Sequence, residues 1–255
     1  MNAPPLLPKG YRLLRLEQTG STNADALEAG LRGEAGGLWI VADRQNAGKG
    51  SRGREWVSQQ GNLFASLLMR DPAPAINLPQ LTFVAALAVR QAMANMAVAQ
   101  GLVRTITLKW PNDILVQGGK ASGILLESRN GDTGCLVVVG VGVNCVSHPQ
   151  DTMHRATDLA SEGIVAQPVA LLGEIAACMA DWLAAWDAGN GFAAVRNAWL
   201  AQATGVGQRI HVRLPDRELS GSFAELANDG NLIMLLDDGS RVRISTADIF
   251  FTNQT

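Results

Sequence analysis

Apolar and polar positions along this chain of 255 residues alternate between short strand-like runs and longer helical ones. Tyr11 to Gln18 reads as a strand, and Thr19-Gly20-Ser21-Thr22 opens a helix running to about Leu31. Gly37 to Ala42 is a short apolar strand feeding a loop rich in glycine and basic residues, and Asn62 to Met69 is the strand after it. Leu78 to Gln100 is apolar and rich in alanine, a long helix with Gly101 as its C-terminal stop. Ile106 to Lys109, Ile114 to Val116 and Ser122 to Glu127 are strands around two turns, and Gly134 to Asn144 is a β-branched central strand. Val169 to Trp186 and Phe192 to Gln202 carry helical periodicity. After Gly205 the period falls to two, at Gln208–Arg213, Leu232–Leu236 and Arg241–Ile244, with Asp-Gly turns at Asp229-Gly230 and Asp238-Gly239. The pattern predicts a larger unit over 1–203 and a small all-β module over 204–255, divided near Ala203–Gly207.

Composition narrows the class. Apolar residues make up 47% and charged ones 17%, enough for a substantial core, and the net charge of -2 gives no support for general nucleic-acid binding. The segment Met1–Arg12 lacks the apolar heart of a signal peptide, and no apolar run is expected to span a membrane. Cys135, Cys145 and Cys178 show no metal-ligand spacing. The expectation is a soluble cytoplasmic protein with reduced thiols.

Two stretches carry the chemistry. Lys109-Trp110-Pro111-Asn112-Asp113 and Gly118-Gly119-Lys120-Ala121-Ser122-Gly123 place two tight turns around a short strand. Such a hairpin brings Lys109, Asp113 and Lys120 around one pocket, suited to a polyphosphate and its metal. The second stretch, Ala47 to Trp56, interleaves Gly48, Gly50 and Gly53 with Lys49, Arg52 and Arg54. Its glycines are expected to expose N–H groups as an anion cradle, and Trp56 offers a flat face to a base.

Gly48 to Gly53 matches G-x-G-x-x-G, but turn and strand follow it where a dinucleotide fold needs a helix, and no Walker A loop is present. Thr22-Asn23-Ala24-Asp25 taken alone is a capping box, there only to start a helix. His148, His154 and His211 have no partners at useful spacing, and Cys145 reads as a small buried residue.

Together these motifs closely resemble the biotin protein ligases. The resemblance covers nearly the whole chain: Ser21-Thr22-Asn23, Gln45, the Gly48–Trp56 loop, Lys109–Asp113, Lys120 with Ala121-Ser122-Gly123-Ile124-Leu125, and Gly140 to Asn144. It implies an α+β fold, a mixed β-sheet catalytic domain with packed helices plus an SH3-like β-barrel at the C-terminus. It implies a reaction in which the biotin carboxylate attacks the α-phosphate of ATP, giving biotinyl-5'-AMP. A lysine of a biotin carboxyl carrier domain of acetyl-CoA carboxylase then takes the biotinyl group and releases AMP. By the same resemblance Lys120, Arg52 and Arg54 are catalytic, with Lys120 on the carboxylate and α-phosphate oxygens in both steps. Biotin falls to Ser21, Thr22, Asn23, Gln45, Gly48, Lys49, Gly50, Ser51, Lys120 and Gly123. ATP falls to Arg52, Arg54, Trp56, Lys109, Asn112 and Asn144, and Mg²⁺ to Asp113.

Two departures matter. The family's loop usually reads G-R-G-R-x-G-R-x-W, and here Lys49 and Ser51 replace its first two arginines. Lys49 keeps charge without the bidentate fork, and Ser51 loses the charge. A looser loop and faster escape of the adenylate are expected, so Ser51→Arg should slow release of biotinyl-AMP in a rapid-dilution assay; an unchanged rate would refute this. The stretch before Ser21 is also too short for the winged helix-turn-helix of bifunctional relatives, so no DNA binding is expected. Homodimer formation is left open. Two other readings stay in play: a lipoate or octanoate transferase, and a non-catalytic module that binds biotin or the carrier.

Overall fold

The computed structural model describes residues 5–131, 134–150, 152–214 and 217–251. The outermost residues of the two expected units, 1–4 and 252–255, lie outside the described residues.

A seven-stranded mixed sheet forms the larger part, in the order β1 (Arg12–Thr19), β2 (Leu38–Gln45), β3 (Leu63–Arg70), β7 (Gly134–Val143), β6 (Gly119–Gly131), β5 (Asp113–Val116) and β4 (Ile106–Lys109). β1 and β2 are parallel, joined by the crossover helix α1 (Thr22–Leu31), and the remaining pairs are antiparallel. Alternation along the strands divides the apolar side chains between two cores. On one face Trp39, Val41, Ala65, Leu67, Val137, Val139 and Val141 meet α2 (Leu81–Ala99), α3 (Pro168–Trp186) and α4 (Phe192–Gln202). On the other, Leu38, Ile40, Leu68, Leu136 and Val138 pack on Ala26 and Ala29 of α1. This one short helix leaves part of its face open.

Several expectations shift. The helix expected from Leu78 starts as a 3-10 turn, Ala75–Gln80, because Pro79 donates no hydrogen bond, and α2 follows from Leu81. Ala75–Ala99 and Pro168–Gly189 are, by length and apolarity, long enough to cross a membrane, contrary to the sequence reading. Here they pack on each other and on the sheet, and burial of α2 residues from Leu81 to Ala97 accounts for its apolarity.

The C-terminal part is a five-stranded antiparallel sheet in the order β11 (Arg241–Ile244), β10 (Leu232–Leu236), β9 (Glu218–Leu226), β8 (Arg209–Arg213) and β12 (Asp248–Phe251). Among the described residues no pairing joins β11 to β12, so the sheet is not a closed barrel. The pattern did not reveal β9, interrupted by Ser-Gly-Ser, or the four-residue β12. This sheet is anchored on the larger part: Trp110 Nε1 donates to the Gly230 carbonyl at 3.1 Å, and Arg196 Nε of α4 donates to the Leu226 carbonyl of β9 at 2.6 Å.

Candidate active site

Strand register builds the site. Lys109 stands opposite Asp113, Asp113 opposite Gly123, Gly123 opposite Gly142, and Gly142 opposite Phe64. Paired residues share a face of the sheet, so a cation, a carboxylate and two bare glycines form one transverse row on the side of α1. Two residues along lies a second row, Leu125, Gly140, Ser66 and Ile40. A groove runs over these rows, and the bare glycines leave room for the Trp56 ring and the Asn23 amide that pack on them.

Lys120 reaches this face through a bulge. It stands three residues before Gly123, and a regular strand would send the two to opposite faces. Between Ile114 and Leu115 the register shifts, pairing Ile114 with Ser122 and Leu115 with Lys120, so Ala121 is the extra residue. Lys120 is thereby turned back beside Asp113, with Nζ 2.6 Å from Asp113 Oδ1 and 5.5 Å from the Trp56 ring centre. Its backbone is held on both sides, its N–H donating to the Arg155 carbonyl and its carbonyl accepting from Thr157.

At the far end of the groove the side chains of Thr22 and Asn23 do not cap α1, contrary to the capping-box reading, and Ser21 at the N-cap makes no side-chain cap bond either. Gln45 Oε1 accepts from the Thr22 backbone N–H at 2.9 Å and lies 3.1 Å from Thr22 Oγ1. Asn23 donates to Glu127 at 2.7 Å, and its Oδ1 accepts from Ser66 Oγ at 2.6 Å. Gln45 Nε2 in turn donates to Ser58. These buried polar groups are fixed by one another, as a recognition surface for a polar ligand requires. Sequence reading missed Ser66, Glu127 and Ser58. Ser66 did leave a signal: it is the one polar residue in the apolar run Leu63–Met69, fully buried, and such a hydroxyl needs a partner.

The glycine loop is a small hairpin. Lys49 bridges Glu55, the Gly50 N–H donates to the Arg54 carbonyl at 2.7 Å, and the Trp56 N–H donates to the Gly48 carbonyl at 3.0 Å. Of the N–H groups expected to form an anion cradle, that of Gly50 is thus spent inside the loop. Gly48 serves close approach, since a Cβ there would meet the Trp56 carbonyl at 2.5 Å; it does not line the groove. The Trp56 ring packs against the glycine row, where a Cβ at Gly142 would come within 2.5 Å of it. Its Nε1 is buried with no protein partner.

Ser21, Thr22, Asn23, Gln45, Lys49, Gly50, Ser51 and Gly123 line the groove. A second, wider cavity adjoins it, lined by Arg52, Arg54, Lys109, Asp113 and Asn144. Gly50, Ser51, Trp56, Asn112 and Lys120 belong to both. Asn112 and Asn144 turn their amides to backbone, Asn112 donating to the Ile124 carbonyl at 2.7 Å and Asn144 to the Thr157 carbonyl at 3.0 Å. Through these bonds they brace the Lys120 hairpin, while both residues line the wider cavity expected to take ATP. His154, given no function from sequence, also lines the wider cavity and lies against Phe250, the ring centres 4.8 Å apart and the planes tilted by 43°. Burial, then the nearby Lys109 charge, pulls His154 down to about 4, so it is neutral near pH 7. Burial likewise lowers Lys109 to about 8, against the opposing pull of Asp113.

Known proteins share this arrangement. Residues 16–144 match the Biotin/lipoate A/B protein ligase family and residues 205–252 the Biotin protein ligase C terminal domain. The chain is 40% identical to a biotin–acetyl-CoA-carboxylase ligase of Paracoccus denitrificans, over 92% of this chain and 99% of that one. It is 30% identical to the bifunctional ligase/repressor BirA of Bacillus subtilis, over 94% of this chain and 74% of that one. A biotin protein ligase from Aquifex aeolicus, solved in complex with biotin and ATP, superposes with a TM-score of 0.79 at 25% identity, covering 94% of this chain and 99% of that one. With a family match over half its length and a relative of this identity along nearly all of it, the chain belongs to the biotin protein ligases.

Proposed function

We propose that this chain joins biotin to a lysine of a biotin carboxyl carrier domain of acetyl-CoA carboxylase, with the groove holding biotin and the wider cavity ATP. The observation that carries the assignment of sites is Lys120, which lines both cavities at their junction. There the biotin carboxylate attacks the α-phosphorus of ATP and pyrophosphate leaves. The carrier lysine then attacks the acyl carbon of the mixed anhydride, and AMP leaves. Both steps bring negative charge together, and a fixed cation with N–H donors lowers that barrier. Arg52, Arg54 and Lys109 hold phosphate oxygens, and Trp56 closes over the junction. The polar end, Ser21, Thr22, Asn23 and Gln45, meets the ureido ring.

Asp113 is the carboxylate for Mg²⁺. Among the described residues no cluster of three or more metal-ligating side chains occurs. That donor set suits an ion that arrives on the nucleotide's phosphates with Asp113 as its protein contact, not a resident metal. The division into 1–203 and 204–255, an SH3-like curl of the C-terminal sheet and a cytoplasmic location belong to the same reading. The register shift between β9 and β10 at Ile233/Met234 supports the curl.

Biotin-dependent exchange of labelled pyrophosphate into ATP tests this, with lipoate and octanoate as controls. Exchange with biotin alone is the expected result. Exchange with lipoate, or none at all, would sink it. The fixed polar end of the groove favours biotin over a plain acyl chain, whose apolar end would leave those groups unpaired.

Lys109 adds a pH signature. ATP prefers the protonated amine, and the free enzyme loses that proton as pH passes about 8. kcat/KM for ATP is expected to fall across that range, and Lys109→Arg, charged throughout, to flatten the fall. A wild-type profile without that limb would refute the assignment. Stability moves the other way: between about 8 and the ordinary 10.5 the unfolded chain holds the proton that the folded one has lost. This group therefore favours the folded state increasingly as pH rises through that window.

A further inference from the structure

Asp248 belongs to β12 in the C-terminal sheet, yet its carboxylate lies in the wider cavity of the other sheet. Its Oδ2 is 2.6 Å from Arg52 Nη1 and its Oδ1 3.2 Å from Arg54 Nη1. Asp248 is 18% exposed and Arg52 27%, so that pair is largely sheltered from solvent, whereas Arg54 is half exposed. Arg52 sits at the tip of the glycine loop with φ 62 and ψ 31, a left-handed conformation that a residue with a Cβ keeps only where its surroundings hold it. Arg54 is tied from its other side, donating to the Ser51 carbonyl at 3.3 Å and to Ser51 Oγ at 3.2 Å.

Two guanidinium groups this close repel, and a carboxylate shared between them offsets that repulsion. Each guanidinium has five N–H donors; Arg54 directs one to Asp248 and two to Ser51, so donors remain on both arginines for phosphate oxygens, and the trio keeps a net positive charge. We propose that Asp248 is a positioning residue, by which the C-terminal module aims Arg52 and Arg54 side by side at the nucleotide cavity before ATP arrives. The proposal rests on the ligase reading above.

The test compares full-length wild type, Asp248→Asn and Asp248→Glu in biotin-dependent pyrophosphate exchange, with biotin affinity measured separately without ATP. Asp248→Asn is expected to raise KM for ATP about tenfold with kcat changed far less, since it removes a charge-assisted contact from the arginines and none from the reacting atoms. Asp248→Glu should recover most of that loss, and biotin affinity should match wild type. In an Arg52→Ala/Arg54→Ala background the Asp248→Asn change should add almost nothing, because its effect acts through those two side chains. An unchanged KM would make the ion pairs idle, and a lowered KM would make Asp248 a competitor that ATP must displace. Loss of biotin affinity in Asp248→Asn would make it a general structural support. Each of these overturns the proposal. Wild type inactive with biotin would instead sink the ligase reading, before any variant is compared.

Discussion

Lys120→Ala is expected to lower biotin-dependent pyrophosphate exchange by about two to three orders of magnitude, the usual range for removing a fixed donor at a developing anion. The geometry argues for the upper end. Among the cations described, Lys120 is the one that lines both the groove and the wider cavity at full side-chain reach of Asp113, 2.6 Å away. Alanine would remove the charge between two approaching anions and strand Asp113, a carboxylate already 16% exposed, as a third negative group. The same lysine serves the second step, so transfer from supplied biotinyl-AMP to a carrier domain should fall alongside adenylation. Lys120→Arg should recover little, because the bulge at Ala121 aims a slim ammonium past Trp56, and a planar guanidinium is a different shape on a longer stem. Biotin affinity without ATP should change by far less than the rate. Exchange by Lys120→Ala within about tenfold of wild type would remove Lys120 from the chemistry.

The parts of the site set by short-range rules were legible in the sequence. Turn residues at Pro111-Asn112-Asp113 and Gly118-Gly119 announced the hairpin, and alternation placed Lys109 and Asp113 at facing ends of their strands. What stayed hidden depends on register or on distant partners. Alternation alone would have put Lys120 on the wrong face relative to Gly123, and only the extra residue at Ala121 corrects it. Thr22 and Asn23 satisfy a local rule for helix starts, yet their side chains turn to Gln45, Ser66 and Glu127, partners that lie on three other strands. Asp248 gave no signal, since its partners lie more than three quarters of the chain away and the strand that carries it has four residues. The glycines misled in a different way. Gly48 and Gly50 suggested unusual backbone, whereas the positive φ falls on Arg52 and Gly53, and the glycines that shape the site are those of the sheet.

Those sheet glycines give the second large effect. Gly140→Ala is expected to weaken biotin binding by about ten- to a hundredfold, the equivalent of leaving one or two buried polar groups unpaired. A Cβ at Gly140 would stand 2.3 Å from Asn23 Oδ1 and 2.9 Å from Asn23 Cγ, closer than non-bonded atoms approach. Gly140 lies in the middle of the sheet, paired with Ser66 on one side and Leu125 on the other, so the backbone cannot retreat. The amide must move instead, and it is held at both ends, by Ser66 on Oδ1 and Glu127 on Nδ2. Either bond lost leaves a buried group without a partner and tilts the network that Thr22 and Gln45 complete. Asn23→Ala in the same chain makes room for the methyl, so the double variant should bind biotin better than the sum of the two single losses allows. KM for ATP should move little, because the methyl points at the polar end of the groove, away from Arg52, Arg54 and Lys109. Titration of biotin by calorimetry reads the effect directly. Wild-type affinity in Gly140→Ala would mean that the ureido ring does not lie against Asn23, and the groove would have to hold the ligand the other way round or not hold it at all.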